Sequence, residues 1–147
     1  MYVRILAGVD GSSQGDHALR HAAALAKAYG AELRIVHVVD MGWLPLAPEL
    51  ALDVERLAKA RRAEGETLLA SAVELAQAAG VTAQASLVET ATPAQHPAAA
   101  LVEEATSWSA DVMVLGARGR SRLEHLLLGS VADGVARRST IPVLLVP

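Results

Sequence analysis

The sequence predicts a doubly wound α/β domain, a single five-stranded parallel sheet with helices on both faces. Three observations predict it. Short apolar runs bounded by turn residues alternate with longer stretches of helical periodicity, in the order β-α-β-α-β-α-β-α-β. The apolar runs leave little room for a solvated face, as in strands covered on both sides. The core must be built from Leu, Val, Ile and Ala, because the 147 residues include no Phe, two Trp and two Tyr. Strands separated by helices imply right-handed crossovers and a parallel sheet. With no internal repeat, low-complexity tract or interdomain linker, residues 1–147 read as one domain.

The elements follow in order. Val3–Val9 is a short apolar run ended by Asp10-Gly11-Ser12-Ser13, the first strand. Ser12 or Ser13 caps the helix that follows. Ala18, Ala22, Leu25, Ala26 and Tyr29 recur on one face of that helix, and Gly30 ends it. Glu32–Val39 is the second strand. Residues 40–49 form a loop with two prolines, and a long helical stretch runs from Leu50 to Ala79. Its second half carries Leu68, Ala72, Leu75, Ala76 and Ala79 on one face; Gly65 is a candidate bend, and Gly80 closes the helix. The third strand is Thr82–Val88, and Glu89–Pro97 reads as loop. Leu101, Ala105 and Trp108 give the third helix its buried stripe. Asp111 leads into the fourth strand, Val112–Leu115. A short helix starts near Ser130 and runs to Arg138, and Ile141–Val146 is the fifth strand.

Composition removes several function classes. There is no Cys, so disulfide frameworks, thiolate metal sites and cysteine nucleophiles are excluded. A net charge of −3 argues against general nucleic-acid binding. No apolar run approaches the roughly 20 residues of a membrane-spanning helix, and nothing at the N-terminus reads as a signal peptide. The expectation is a cytoplasmic protein that binds neither nucleic acid nor membrane.

The chemistry concentrates after the fourth strand. Gly116, Gly119, Gly129 and Ser130 have the spacing Gly-x2-Gly-x9-Gly-Ser between a strand and a helix. Glycines let backbone approach a ligand closely, and the free N–H groups and positive end of the helix near Ser130 favour phosphate. The plainer alternative is a turn followed by a helix cap. In doubly wound sheets ligands bind beyond the carboxyl ends of the strands, where strand order reverses. If the first and fourth strands are neighbours there, Asp10 and Gly116 line one crevice. Asp10 then accepts from ribose hydroxyls or an adenine amine, or holds a metal through water; otherwise it is a solvated turn residue. Arg118, Arg120 and Arg122 either pair with phosphates or form a solvated loop. Trp43 either covers the crevice or packs locally, and His125 is a weak catalytic candidate. His17 and His21 lie at i and i+4 but lack an evident third metal ligand, so they read as surface or helix-end histidines. There is no Gly-x4-Gly-Lys-Ser/Thr loop, Gly-x-Gly-x-x-Gly fingerprint or Gly-x-Ser-x-Gly elbow, and no paired carboxylates mark a general acid and base. No catalytic residue and no metal ligand is assigned.

These residues resemble the universal stress proteins of the ATP-binding type. The resemblance spans the chain. It rests on Ile5-Leu6-Ala7-Gly8-Val9-Asp10-Gly11-Ser12, Ile35–Val39, Ala110–Gly116, Leu128–Ala132 and Ile141–Pro147, together with the unbroken Gly-x2-Gly-x9-Gly-Ser motif. It implies an adenine nucleotide alpha hydrolase-like sheet of order 3-2-1-4-5. It also implies ATP in the crevice with Mg²⁺ (or Mn²⁺) near its phosphates, and a homodimer through strand 142–146. The implied nucleoside contacts are Asp10 and the backbone around Gly8 and Val38. Gly116 and Gly119 flank ribose and phosphate, and Gly129, Ser130 and Val131 hold the phosphates. Thr90–Pro97 lacks the Gly-x-Pro common in the family, a departure bearing on partner roles. The function expected is a dimeric, nucleotide-dependent stress-response module with little or no turnover, acting on an unidentified protein partner. The alternatives are a slow ATPase or nucleotidyl-transfer enzyme, and a nucleotide-free dimerisation protein.

Overall fold

A computed structural model describes residues 1–42, 53–118 and 128–147. Its elements are β1 (Arg4–Gly8), α1 (Ser13–Tyr29), β2 (Glu32–Asp40), α2 (Val54–Ala78), β3 (Ala83–Thr90), α3 (Pro97–Trp108), β4 (Val112–Gly116), α4 (Ser130–Arg138) and β5 (Val143–Val146). All four strand pairings are parallel, and the sheet order is β3-β2-β1-β4-β5. That is the doubly wound class and the strand order expected from the sequence.

The two-residue period of a strand divides the core into two layers. From the central strands, Ile5, Ala7, Leu33, Ile35, Val112 and Val114 face α1 and α2, meeting Leu19, Ala22, Leu69 and Ala76. The intervening Leu6, Val36, Met113 and Leu115 face α3 and α4, meeting Leu101, Ala105, Trp108 and Val135. Small residues on the inner faces of the helices bring them close to the sheet. In α2, Gly65 does not break the helix, which runs continuously through it. A Cβ there would lie 2.7 Å from Leu87 Cδ1 and 3.1 Å from Val39 Cγ2, so the glycine serves close helix–sheet packing.

Element ends departed from the apolar pattern wherever polar groups set them. Ser12, rather than Ser13, caps α1, its Oγ accepting the Gly15 N–H at 3.0 Å. β3 continues to Thr90 because Thr90, fully buried, donates to Asp40 Oδ1 at 2.7 Å and accepts the Met41 N–H at 3.0 Å. α3 begins at Pro97, expected as loop: His96 Nδ1 caps it by accepting the Ala98 N–H at 3.0 Å, and proline is suited to a first helical position. β5 starts two residues late because Ser139 Oγ closes a turn on both the N–H and the carbonyl of Ile141. Two expected stripes were also offset. In α2 Leu69 joins the buried seam with Leu68 half-buried beside it, and Ala79 is exposed. Tyr29 is 48% exposed, its ring edge-on to Tyr2. Leu50 to Leu52, the expected start of the long helix, lie outside the described residues.

The first strand is anchored at its start by Asp111. One carboxylate oxygen accepts the N–H groups of Val3 and Arg4, both at 2.7 Å. These two hydrogen bonds hold the Asp111 carboxyl below the ordinary value of 3.8. A depressed folded-state pKa stabilises the fold above the unfolded-state value and loses that stabilisation as pH falls through the folded-state value. Urea titrations of wild type and Asp111→Asn should therefore differ at neutral pH and converge below about pH 4. A gap of constant size across that range would contradict a role for the charge.

Candidate functional site

The sheet opens at the carboxyl ends of the neighbouring strands β1 and β4. Beyond Gly8 the chain leans towards β2, with the Val9 N–H donating to the Val36 carbonyl at 2.9 Å. Beyond Gly116 it leans the other way, with the Ala117 N–H donating to the Val146 carbonyl at 2.8 Å. Each strand end is drawn to its outer neighbour, which leaves a gap between them. This is the topological switch point.

A cavity of about 280 Å³ occupies that gap, close to the lower end of the roughly 300–1,000 Å³ usual for small-molecule sites. Gly8, Asp10, Val38, Gly116, Arg118, Gly129, Ser130 and Val131 all line it. The remaining predicted contact, Gly119, lies outside the described residues, as do Trp43, Arg120, Arg122 and His125. At Gly8 a side chain would displace the leucines that line the cavity. A Cβ on Gly8 would sit 2.5 Å from Leu115 Cδ2 and 3.1 Å from Leu101 Cδ2, in the space between β1 and α3.

The polar end of the cavity is the start of α4. Ser130 is the first helical residue and Gly129 the N-cap, so the cap position offers no side chain to the helix's first amides. Helical N–H groups bond four residues back, which leaves those of Ser130, Val131 and Ala132 without an intrahelical acceptor. The Gly129 N–H is differently used: it donates to the Ala117 carbonyl at 2.8 Å, tying the start of α4 to the end of β4. What Gly129 offers the cavity is therefore its missing side chain. The first turn also carries the positive end of the helix dipole.

Asp10 stands across the gap on the β1 side. Its Oδ1 accepts the Ser12 N–H at 2.9 Å and the Ser12 hydroxyl at 2.5 Å, while the same hydroxyl oxygen accepts the Gly15 N–H. The carboxylate is thus held by the first turn of α1, and Gly15 itself lines the cavity. The site places an acceptor-only carboxylate at one end and a row of backbone donors at the other, with apolar walls between.

Sequence reasoning missed those walls. Val36, Pro97, Leu101 and Leu115 line the cavity as well, with His37 beside them. Pro97 and Leu101 lie one turn apart at the start of α3, and a crossover helix begins at the same sheet edge where its preceding strand ends. That rule, applied to α3, would have found both. The His37 ring is turned towards α2, and its Nδ1 lies 2.8 Å from the Val9 carbonyl. A carbonyl only accepts, so Nδ1 carries the proton of that bond.

Comparison with known proteins meets this geometry at the family level. A sequence profile described as the universal stress protein family matches residues 1–147. The chain belongs to that family. It is 34% identical over 154 residues to the universal stress protein YxiE of Bacillus subtilis, spanning 99% of both chains. A universal stress protein family member from Burkholderia pseudomallei is 32% identical, with a TM-score of 0.77 over 99% of this chain and 96% of that one. A universal stress protein solved in complex with cAMP is 31% identical, with a TM-score of 0.67 over 99% and 97% of the two chains. The five-stranded sheet and its four described helices form the adenine nucleotide alpha hydrolase-like fold of universal stress proteins. Among the described residues no helix is long and apolar enough to cross a membrane.

Proposed function

We propose that this universal stress protein binds ATP with Mg²⁺ or Mn²⁺ in the switch-point cavity and acts in the cytoplasm as a dimeric, nucleotide-dependent signalling module with little or no turnover. The observation that carries the reading is the start of α4: Ser130, Val131 and Ala132 line the cavity, their amides have no intrahelical acceptor, and the N-cap offers no side chain. A helix start of that kind favours phosphate. In this reading the phosphates take the amides of Ser130, Val131 and Ala132, with Arg118 beside them. The ribose and adenine lie towards Asp10, Gly8 and Val38, and Gly116 lets α1 and the ligand approach together. The relative solved with cAMP supports the nucleotide class.

A divalent ion fits the residues present. Mg²⁺ is held through one or two carboxylates, phosphate oxygens and retained waters, not by an all-protein cage, and Asp10 is the carboxylate among the described lining residues. When bound, the ion screens the phosphate charge. Asp10 Oδ1 is already engaged by Ser12, which suits positioning better than proton abstraction. The dimer is proposed through strand 142–146: β5 is a sheet edge carrying Leu144 at 41% exposure, and pairing with a second copy would cover it.

Calorimetric titration with ATP and Mg²⁺, with ADP followed in parallel, tests this reading. Saturable binding is expected, with turnover far below the roughly 1–10³ s⁻¹ of ordinary enzymes. Turnover in that range would favour the ATPase reading, and no heat of binding would contradict the nucleotide site.

A further inference from the structure

A pair of histidines stands on the exposed face of α1, outside the residues that line the cavity. His17 and His21 are one turn apart, and both are exposed. Their ring centres are 5.0 Å apart, with the rings edge to face at 67°. The His17 Nδ1 lies 3.0 Å from the Pro147 main-chain oxygen, beyond the end of β5. That oxygen can only accept, so Nδ1 carries the proton and the neutral ring presents Nε2 as a bare lone pair. Metal-ligating histidines are usually held this way, the far nitrogen donating to a carbonyl or carboxylate that fixes the tautomer.

The ring spacing is compatible with a shared ion. A metal–nitrogen bond of about 2.0–2.1 Å, with about 1.1 Å more to the ring centre, puts a common ion about 3.2 Å from each centre. Two centres 5.0 Å apart then subtend roughly 100° at the ion, between square-planar and tetrahedral angles. Each ring is free to turn about its own metal–nitrogen axis, so the 67° between the planes is compatible with the chelate.

From this geometry we infer that His17 and His21 form a two-imidazole chelate for a borderline divalent transition ion such as Zn²⁺, Ni²⁺ or Cu²⁺. Imidazole suits these ions, whereas Mg²⁺ and Ca²⁺ require oxygen ligands. No group of three or more His, Cys, Asp and Glu that could hold a metal occurs among the described residues, so water completes the coordination. The ion also fixes the tautomer that bonds Pro147 and thereby fastens α1 to the end of β5.

The test is calorimetric titration of the tag-free protein with Zn²⁺, alongside His17→Ala and His21→Ala, with melting temperatures measured with and without the ion. Both side chains are exposed, so both variants should fold. One Zn²⁺ is expected per chain, bound about tenfold or more weakly by each variant, with a zinc-dependent rise in melting temperature for wild type only. His96→Ala serves as the control and should bind as wild type does. Equal binding by wild type and the two α1 variants, or no wild-type binding at millimolar Zn²⁺, would overturn the inference. Because Zn²⁺ is the probe and no nucleotide is present, neither outcome depends on the cavity reading.

Discussion

Replacing Gly129 and Ser130 together by valine is expected to weaken ATP binding by about 100-fold or more, with little change in the melting temperature of the free protein. Gly129 has φ −58° and ψ 158°, extended backbone that any residue adopts, so a side chain there introduces no backbone strain. Its side chain would instead stand beside the three open amides at the start of α4. Hydrogen bonds to charged groups are worth about 1.5–3 kcal/mol each. Displacing a phosphate from even one or two of them accounts for the factor of 100, about 2.7 kcal/mol. Calorimetry gives the affinity and thermal denaturation the fold. Unchanged affinity would remove the start of α4 from the site.

Gly134→Val should act on the same helix from behind, and through stability as well. A Cβ at Gly134 would lie 2.6 Å from Ala98 Cβ and 3.0 Å from Arg138 Nη1. The alanine Cβ is fixed to the α3 backbone and cannot swing away, so the two helices must part. Overpacking of this kind costs about 1–3 kcal/mol, and valine adds two methyls to the clash. A loss near the upper end lowers the melting temperature by about 6–12 °C in a chain of this size. Because α3 carries Pro97 and Leu101 and α4 carries the open amides, ATP affinity should fall too, by about tenfold at temperatures where the variant is folded. A variant melting with wild type would mean that α3 and α4 do not meet at Gly134.

The parts of this fold legible in the sequence are those where burial alone decides. β1, β2 and β4 are nearly continuous apolar runs because helices cover both faces, and a pattern-based reading recovers them within a residue or two. Their ends were harder to read. Thr90 extends β3 through a buried hydroxyl that bonds Asp40 across the strand pair, and His96 starts α3 with a ring nitrogen. Neither residue type announces that role in a linear pattern. Tyr29 fits the amphipathic stripe of α1 but is half exposed at the last turn, since periodicity assigns a face without saying how far the partner extends. In the candidate site, glycine spacing and a carboxylate after the first strand were enough to nominate residues from three separate elements, and the fold brings Asp10, Gly116, Gly129 and Ser130 to one cavity. The apolar walls were missed because Leu101 and Leu115 look like ordinary core; only the opening between β1 and β4 turns them towards a ligand.

The central claim, that a nucleotide sits between the end of β1 and the start of α4, is tested most directly by following backbone amide resonances of isotopically labelled protein during titration with ATP and Mg²⁺. The account predicts the largest changes at Ser130, Val131 and Ala132, with further changes at Gly8, Asp10 and Gly116 and none along the exposed face of α2. Changes confined to other elements, or amides at the start of α4 that do not respond at saturating ATP, would contradict it.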